Sequence, residues 1–366
     1  MINSVYVHIP FCSSICSYCD FSKFFYNKEW VNKYLTELEK EIKLKYKNDI
    51  INTIYIGGGT PSSLTLDELN KLFEIIKIFK LSNNVEFTFE CNIENITKEK
   101  LELLFNNGVN RLSIGIQTFN DKYLKYLNRH HTKEEAINKI NMAKNIGFNN
   151  INIDLIYAIP GQTIKELSED LDIFLSLNIE HISTYSLIIE PNTWLYVHKT
   201  NNTDEDLDYE MYKLICKKLK SHGYNHYEIS NFSKERYCSK HNLTYWNNLE
   251  YYGFGIGASG YINGNRYDNT KSFNNYINGK YLLESHALNK NETIENEFIL
   301  GLRKTNGIDI VKFKEKYDTD ITKINNVKEL IKAKKLILKN NNLYINPRYI
   351  YVSNDILINF IEENYQ

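Results

Sequence analysis

Three cysteines, Cys12, Cys16 and Cys19, fall within eight positions near the start of a chain that holds six. The spacing C-x3-C-x2-C cannot lie along one face of a helix, so it describes a loop wrapped around a single centre. Three thiolates held together require a positive partner. A structural zinc site takes four ligands, commonly as two separated pairs, and the nearest fourth candidate is His8, which alternates with Val7 and Ile9 along a strand. Three clustered thiols that leave one metal position open suit an iron-sulfur cluster with room for a substrate. Ser13, Ser14, Ser17 and Asp20 make the loop polar, which argues against three unlinked buried thiols.

Other residues that could do chemistry stand at the ends of short apolar runs. Gly57, Gly58 and Gly59 allow close backbone approach and Thr60-Pro61 closes the turn, a shape suited to holding a ligand ammonium. Glu90 ends the run VEFTFE, and an ionised carboxylate there is an acceptor for hydrogen bonds from a ligand. Gln117, Arg129 and Asp154 stand just after strands or in the following loops, where amide, guanidinium and carboxylate heads can hold a polar ligand. His130 and His131 lack thiol or carboxylate neighbours at metal-site spacing and read as a surface pair. Gly255 to Gly260 satisfies G-x-G-x-x-G but runs into YINGNRYDN, which carries no helix signal, so it is not a dinucleotide fingerprint. Cys91 and Cys216 read as fillers of apolar gaps, and Cys238, three residues before His241, as a second metal ligand or a labile thiol.

The elements that must position these residues are legible as repeated βα units. Candidate strands are Val5 to Ile9, Thr53 to Ile56, Val85 to Cys91, Arg111 to Gly115, Ile151 to Tyr157 and His181 to Leu187; the intervening helices are Trp30 to Tyr46, Leu66 to Phe79, Lys98 to Asn106, Lys133 to Ile146, Ile164 to Leu177 and Asp204 to His222. This predicts an α/β fold with a parallel sheet, doubly wound or curled into a partial barrel, with ligands at the C-terminal rim of the strands. Residues 1–230 form this unit, 231–290 a Gly- and aromatic-rich connecting region with loops, and 291–366 a small winged-helix-like α+β domain with a hairpin at KKLILKNNNLYINP.

Composition bounds the rest. The 366 residues are 42% hydrophobic and 24% charged, enough for one large core and a smaller appended one, and the formal net charge of -1 gives no field that attracts nucleic acid. Lysines 332, 334, 335 and 339 read as a solvated basic face, so no nucleic-acid partner is expected. No apolar run is long enough to span a bilayer and MINSVYVHIP lacks a signal-peptide pattern, which predicts a cytoplasmic protein in a compartment where clustered thiols stay reduced.

C-x3-C-x2-C after a first strand and GGGTP after a second resemble the radical S-adenosylmethionine (SAM) superfamily. The order YVHIPFC, GGGTP, the strand-end Glu, SIGIQ, LNRHH and DLIYAIPGQT, with Tyr6 and Tyr18 beside the cysteine loop, is similar to the oxygen-independent coproporphyrinogen III oxidase family and its haem-chaperone branch, HemW, over about residues 4 to 360. The resemblance implies a partial (β/α)6 TIM-type barrel and a 4Fe-4S cluster on Cys12, Cys16 and Cys19. The cluster's open iron would chelate the amino and carboxylate groups of SAM, and its reduction would cleave SAM to methionine and a 5'-deoxyadenosyl radical. SAM would then be held by Tyr6, Tyr18, Gly58, Gly59, Thr60, Glu90, Gln117, Arg129 and Asp154. Two departures point to the chaperone branch: Phe21 follows Cys19-Asp20 where oxidases carry a fourth cysteine, and only eleven residues precede Cys12. Ala158 stands where the family usually has glycine. The chaperone motif H-N-x-x-Y-W is present as His241 to Trp246, which makes His241 the implied haem contact. The implied partners are haem, haem-requiring respiratory enzymes, an unidentified electron donor and a second copy of the chain, with peripheral contact at the membrane. The rival readings are the oxidative decarboxylation of coproporphyrinogen III propionates and a zinc-dependent nucleic-acid binder.

Overall fold

The computed structural model of the protein describes residues 2–361 and Tyr365. The six expected strands are present in order: β1 (Ser4–Ile9), β2 (Ile50–Gly58), β3 (Lys80–Asn92), β4 (Arg111–Gln117), β5 (Ile151–Tyr157) and β6 (His181–Ser186). They alternate with α1 (Lys28–Lys45), α2 (Leu66–Ile76), α3 (Lys98–Asn106), α4 (Lys133–Ile146), α5 (Ile164–Ser176) and α6 (Glu205–Ser221). Each helix begins where a short polar side chain satisfies the free N–H groups of its first turn. Asn27 caps α1 and Asp204 caps α6. Thr65 with Glu68, Thr132 with Glu135 and Thr163 with Glu166 form reciprocal capping boxes on α2, α4 and α5.

β1 to β6 pair in parallel, each beside its sequence neighbour. β8 (Asn231–Ser233) runs antiparallel on the far side of β6 and pairs with β7 (Asn225–Glu228) at that edge. The other edge departs from the sequence-based expectation. Residues 231–290 hold a helix, α7 (Lys240–Trp246), and then β9 (Tyr252–Phe254), which joins β1 as a seventh parallel strand. An antiparallel sheet of Ser259–Ile262, Asn265–Asn269 and Leu282–Ala287 follows. These strands are three to six residues long, and the first two hold a glycine, so they are too short for a period-two pattern to emerge. The G-x-G-x-x-G stretch joins strand to strand, with no helix behind it.

Side chains alternate in chemistry as they alternate in direction. On the outer face Val5, Val7, Ile54, Ile56, Phe87, Phe89, Leu112, Ile114, Ile153 and Ile182 pack against the helices and are at most 1% exposed. On the inner face the register aligns Tyr6 with Tyr55, Glu90 with Ser113, Gly115 with Asp154 and Asn152 with His181. Burying polar groups is costly unless they are hydrogen-bonded, so a polar inner face implies a satisfied network or a ligand.

A second core gathers apolar residues from Ile294 to Tyr365. Three helices, Lys290–Gly301, Ile310–Tyr317 and Asn325–Lys332, precede a hairpin of Leu336–Lys339 and Asn342–Ile345. Asn340 and Asn341 both have positive φ, 52° and 59°, and Lys339 pairs with Asn342 across them, the two-residue turn that Asn best tolerates.

Candidate functional site

The C-terminal ends of β1 to β5 bring together most of the residues singled out by sequence. The cysteine loop leaves β1 and is clipped in place from three sides. The Phe24 N–H and the Tyr26 N–H bond the Pro10 and Cys12 carbonyls. The Ser17 N–H bonds the Leu127 carbonyl at 3.2 Å, Asn128 Nδ2 bonds the Ile15 carbonyl at 2.7 Å, and the Leu195 N–H bonds the Ser17 carbonyl at 3.1 Å.

Donors point at the sulfurs. Thr60 Oγ1 bonds Cys12 Sγ and Arg129 Nη1 bonds Cys16 Sγ, both at 3.4 Å, while the Lys23 ammonium stands near Cys12 and Cys19 and bonds the Cys19 carbonyl at 2.7 Å. Burial pushes the Cys12 thiol up to about 11 despite the Thr60 bond, so a metal must displace a proton to gain this ligand. Among the described residues no three His, Cys, Asp or Glu side chains converge closely enough to hold a single metal ion. An iron-sulfur cube spreads its thiolates farther apart than one ion does, and hydrogen bonds to cluster sulfurs are its ordinary surroundings. The donor set therefore fits a cluster. It does not fit Cys3His zinc: His8 Nε2 bonds the Ser22 carbonyl at 2.8 Å and its Nδ1 meets Tyr6 Oη at 2.9 Å, leaving neither nitrogen for a metal.

The glycine turn is shaped by the same groups. Gly58 has φ 112°, and a Cβ there would lie 2.6 Å from the His8 ring; a Cβ on Gly57 would lie 2.7 Å from the Glu90 carboxyl. Glu90 accepts from the Gly58 N–H at 3.0 Å and from Tyr55 Oη at 2.7 Å. Burial, reinforced by Asp154, pushes the Glu90 carboxyl up to about 7 against these two bonds. Asp154, bonded by Asn152 Nδ2 at 2.8 Å, is also raised by burial. Gln117 is buried with φ 77°, and its amide folds back over Gly115, where a Cβ would meet Nε2 at 2.9 Å. A non-glycine residue in the left-handed region is held there by its surroundings, and such positions concentrate at functional sites.

Arg129 ties the cluster loop to this rim through Cys16, the Gly115 carbonyl at 2.8 Å and Glu94 at 3.1 Å. Glu94, in a 3-10 turn after β3, has no motif to mark it in the sequence. Burial acts to raise its carboxyl, but the hydrogen bond to His131 and the Arg129 charge outweigh that and hold it near 2. His131 is thus not a surface residue: it is 5% exposed and bound to Glu94 at 3.2 Å, whereas His130 is exposed. Tyr18 lies beside Cys16 and Arg129, and its hydroxyl is raised by burial first and by Cys16 next. Tyr55 and Lys23 complete the set that sequence reasoning missed. For Tyr55 the signal was its place opposite Tyr6 in an alternating strand.

His241 lies elsewhere than on an open loop. It is 1% exposed on α7, with Nδ1 bonded to Thr53 Oγ1 at 2.9 Å and Nε2 to Tyr245 Oη at 2.7 Å, while its N–H bonds Glu86. Neither nitrogen faces open space in this conformation, and burial lowers the ring to about 3, so it is neutral. Cys238 bonds Ser233 Oγ at 3.3 Å. Ala158 has φ 56°, the left-handed backbone that explains why glycine is usual there.

Between the cluster loop and residues 245–284 opens a cleft of about 420 Å³, lined among others by Tyr6, Phe21, Tyr245, Tyr251, Lys271 and Leu283. No helix among the described residues is long and apolar enough to cross a membrane.

The sequence model of the radical SAM superfamily matches residues 6–174, and that of the HemN C-terminal domain matches residues 288–351. The chain is 43% identical over 330 residues to the heme chaperone HemW of Bacillus subtilis, covering 86% of this chain and 87% of that one. It is 38% identical over 370 residues to the heme chaperone HemW of Lactococcus lactis, covering 98% and 97%. Among solved structures it matches coproporphyrinogen III oxidase (HemN) of Escherichia coli with a TM-score of 0.87 at 21% identity, covering 99% of this chain and 90% of that one, a likeness of fold. The chain therefore belongs to the heme chaperone HemW family of the radical SAM superfamily.

Proposed function

We propose that the chain binds haem and passes it to haem-requiring respiratory proteins, with a 4Fe-4S cluster on Cys12, Cys16 and Cys19 and SAM across the strand ends. When bound, the cluster supplies one electron to the sulfonium of SAM. This chain's own residues do the rest of the work. Thr60, Arg129 and Lys23 direct donors at the thiolates. Gly58, Gly59 and Glu90 offer backbone and carboxylate to an ammonium, and Gln117, Arg129 and Asp154 stand ready for carboxylate and ribose, with Tyr6 and Tyr18 closing the sides. Haem sits in the cleft beside the cluster loop, where Phe21, Tyr245 and Tyr251 offer ring faces and Lys271 a cation.

One observation carries the preference for carrying over converting a porphyrin. Phe21, at the position of the oxidases' extra cysteine, is 66% exposed on the wall of this cleft. A large apolar ring held open to water beside a cavity favours contact with a flat apolar partner. Membership of the HemW family supports the same reading, and the proposal includes a second copy of the chain and peripheral contact at the membrane.

Anaerobic titration of the cluster-reconstituted chain with haem tests the reading. A saturable Soret band is expected, weakened in Phe21→Ala. Conversion of coproporphyrinogen III to protoporphyrinogen with carbon dioxide release, given SAM and a reductant, would overturn it. For His241 to ligate the iron, Tyr245 must give up Nε2. A shifted Soret maximum in His241→Ala therefore places His241 on the iron, and an unchanged maximum assigns the iron to another residue.

A further inference from the structure

Inside the barrel, below the strand-end site, a buried guanidinium is left with an unpartnered donor. Arg111 opens β4 on the inner face, is 2% exposed, and its Nε has no hydrogen-bond partner. Across the strand pair its register neighbour is Thr88, whose Oγ1 is likewise buried and unpartnered. The Arg111 charge acts on Tyr55, Glu90, Asp154, His181, Tyr227 and His241, which come from five different strands and α7, so the guanidinium faces the polar inner wall of the sheet.

The carboxylates around it are committed to other donors. Glu90 is held by Tyr55 and Gly58, Asp154 by Asn152, Glu86 by the N–H groups of Lys240 and His241 at 3.1 and 3.0 Å, and Glu228 by Asn231. The two histidines are also satisfied: His181 bonds Asn152 at 2.6 Å and Tyr227 at 2.7 Å, and His241 bonds Thr53 and Tyr245. A buried guanidinium whose neighbouring acids all look elsewhere, beside an unpartnered hydroxyl, is a donor pair lacking its acceptor. The planar fork of arginine matches a carboxylate.

We propose that Arg111 and Thr88 form a subsite for a carboxylate of a ligand seated in the barrel. Tyr6, which lines the cleft, has its ring 6.1 Å from that of Tyr55, one of the groups that the Arg111 charge reaches. The carboxylate comes from a haem propionate, in which case the subsite rests on the haem-carrying reading, or from the methionyl end of SAM.

The test uses cluster-reconstituted wild type and Arg111→Met with three probes under anaerobic conditions: haem, haem dimethyl ester and SAM. Arg111→Met is expected to weaken haem about tenfold to hundredfold, the range of a charge-assisted bond. The ester is expected to bind wild type as weakly as haem binds the variant, and the variant not to distinguish haem from ester. A merely structural arginine would not produce that loss of discrimination. The same fold-loss confined to SAM assigns the subsite to the SAM carboxylate. Equal affinity of variant and wild type for haem and SAM overturns the proposal. If wild type binds no haem, the haem-carrying reading falls and the SAM arm alone decides the subsite. Should Arg111→Met not fold, Arg111→Lys takes its place: it keeps the charge and loses the fork, so a reduced haem-to-ester ratio supports the subsite and an unchanged ratio with unchanged SAM affinity overturns it.

Discussion

Glu90→Gln should make the protein more stable and worse at holding SAM, and the two effects should share one pH dependence. Burial raises the Glu90 carboxyl from its ordinary 4.5 to about 7, so the folded chain keeps a proton that the unfolded chain has released. Stability therefore falls as pH rises from 4.5 to 7 and levels off above that. At about 1.4 kcal/mol per pH unit, this group lowers stability by about 3 kcal/mol at pH 8 relative to acid. Glutamine carries no charge, but it offers one oxygen where Tyr55 and Gly58 now use two, which offsets about 1 kcal/mol. Denaturant unfolding of the cluster-free protein should thus show Glu90→Gln near wild type at pH 5 and about 2 kcal/mol more stable at pH 8. For the reconstituted protein, SAM affinity should rise about tenfold between pH 6 and 8 in wild type, as Glu90 ionises, and stay flat and weak in the variant. A stability difference that is constant with pH, or a variant that keeps wild-type SAM affinity, refutes the reasoning.

Arg129→Met should cost about 1–3 kcal/mol in denaturant unfolding near neutrality, because it removes one charged donor from Glu94, which keeps His131 and the His130 N–H, and the link to Cys16. The Glu94 carboxyl is held near 2 by His131 and Arg129 together, so the Arg129 share of that stabilisation is present above 4.5 and lost as pH falls toward 2, and the gap between variant and wild type should narrow in acid. Ala158→Gly should raise stability by up to about 1 kcal/mol, relief of the left-handed backbone at φ 56° exceeding the entropy cost of glycine; equal unfolding midpoints would contradict this. Thr60→Val should make the reconstituted cluster harder to reduce, seen as a more negative midpoint in a redox titration, because it removes the hydroxyl donor to Cys12.

The strands and helices of the barrel were legible because period two and period 3.6 alternate cleanly in them and because Thr65, Thr132 and Thr163 announce helix starts. The cysteine loop and glycine turn were legible because their residue types admit few other uses. Glu94 and His131 were not, since their pairing with Arg129 depends on which loops meet in space. The interior was half legible: Arg111 and Ser113 alternate with Leu112 and Ile114, a pattern that marks a polar inner wall once both faces are known to be buried. The burial of His241 was not legible because a motif names residues without naming their hydrogen bonds, here to Thr53 and Tyr245.

Quantifying iron, acid-labile sulfide and haem on one anaerobic preparation, before and after Cys12, Cys16 and Cys19 are changed to serine, tests the central claim most directly. The account predicts iron and sulfide in equal amounts with haem bound in the wild type, and loss of iron and sulfide in the variant. Zinc without sulfide, or a serine variant that keeps its iron-sulfur content, would contradict it.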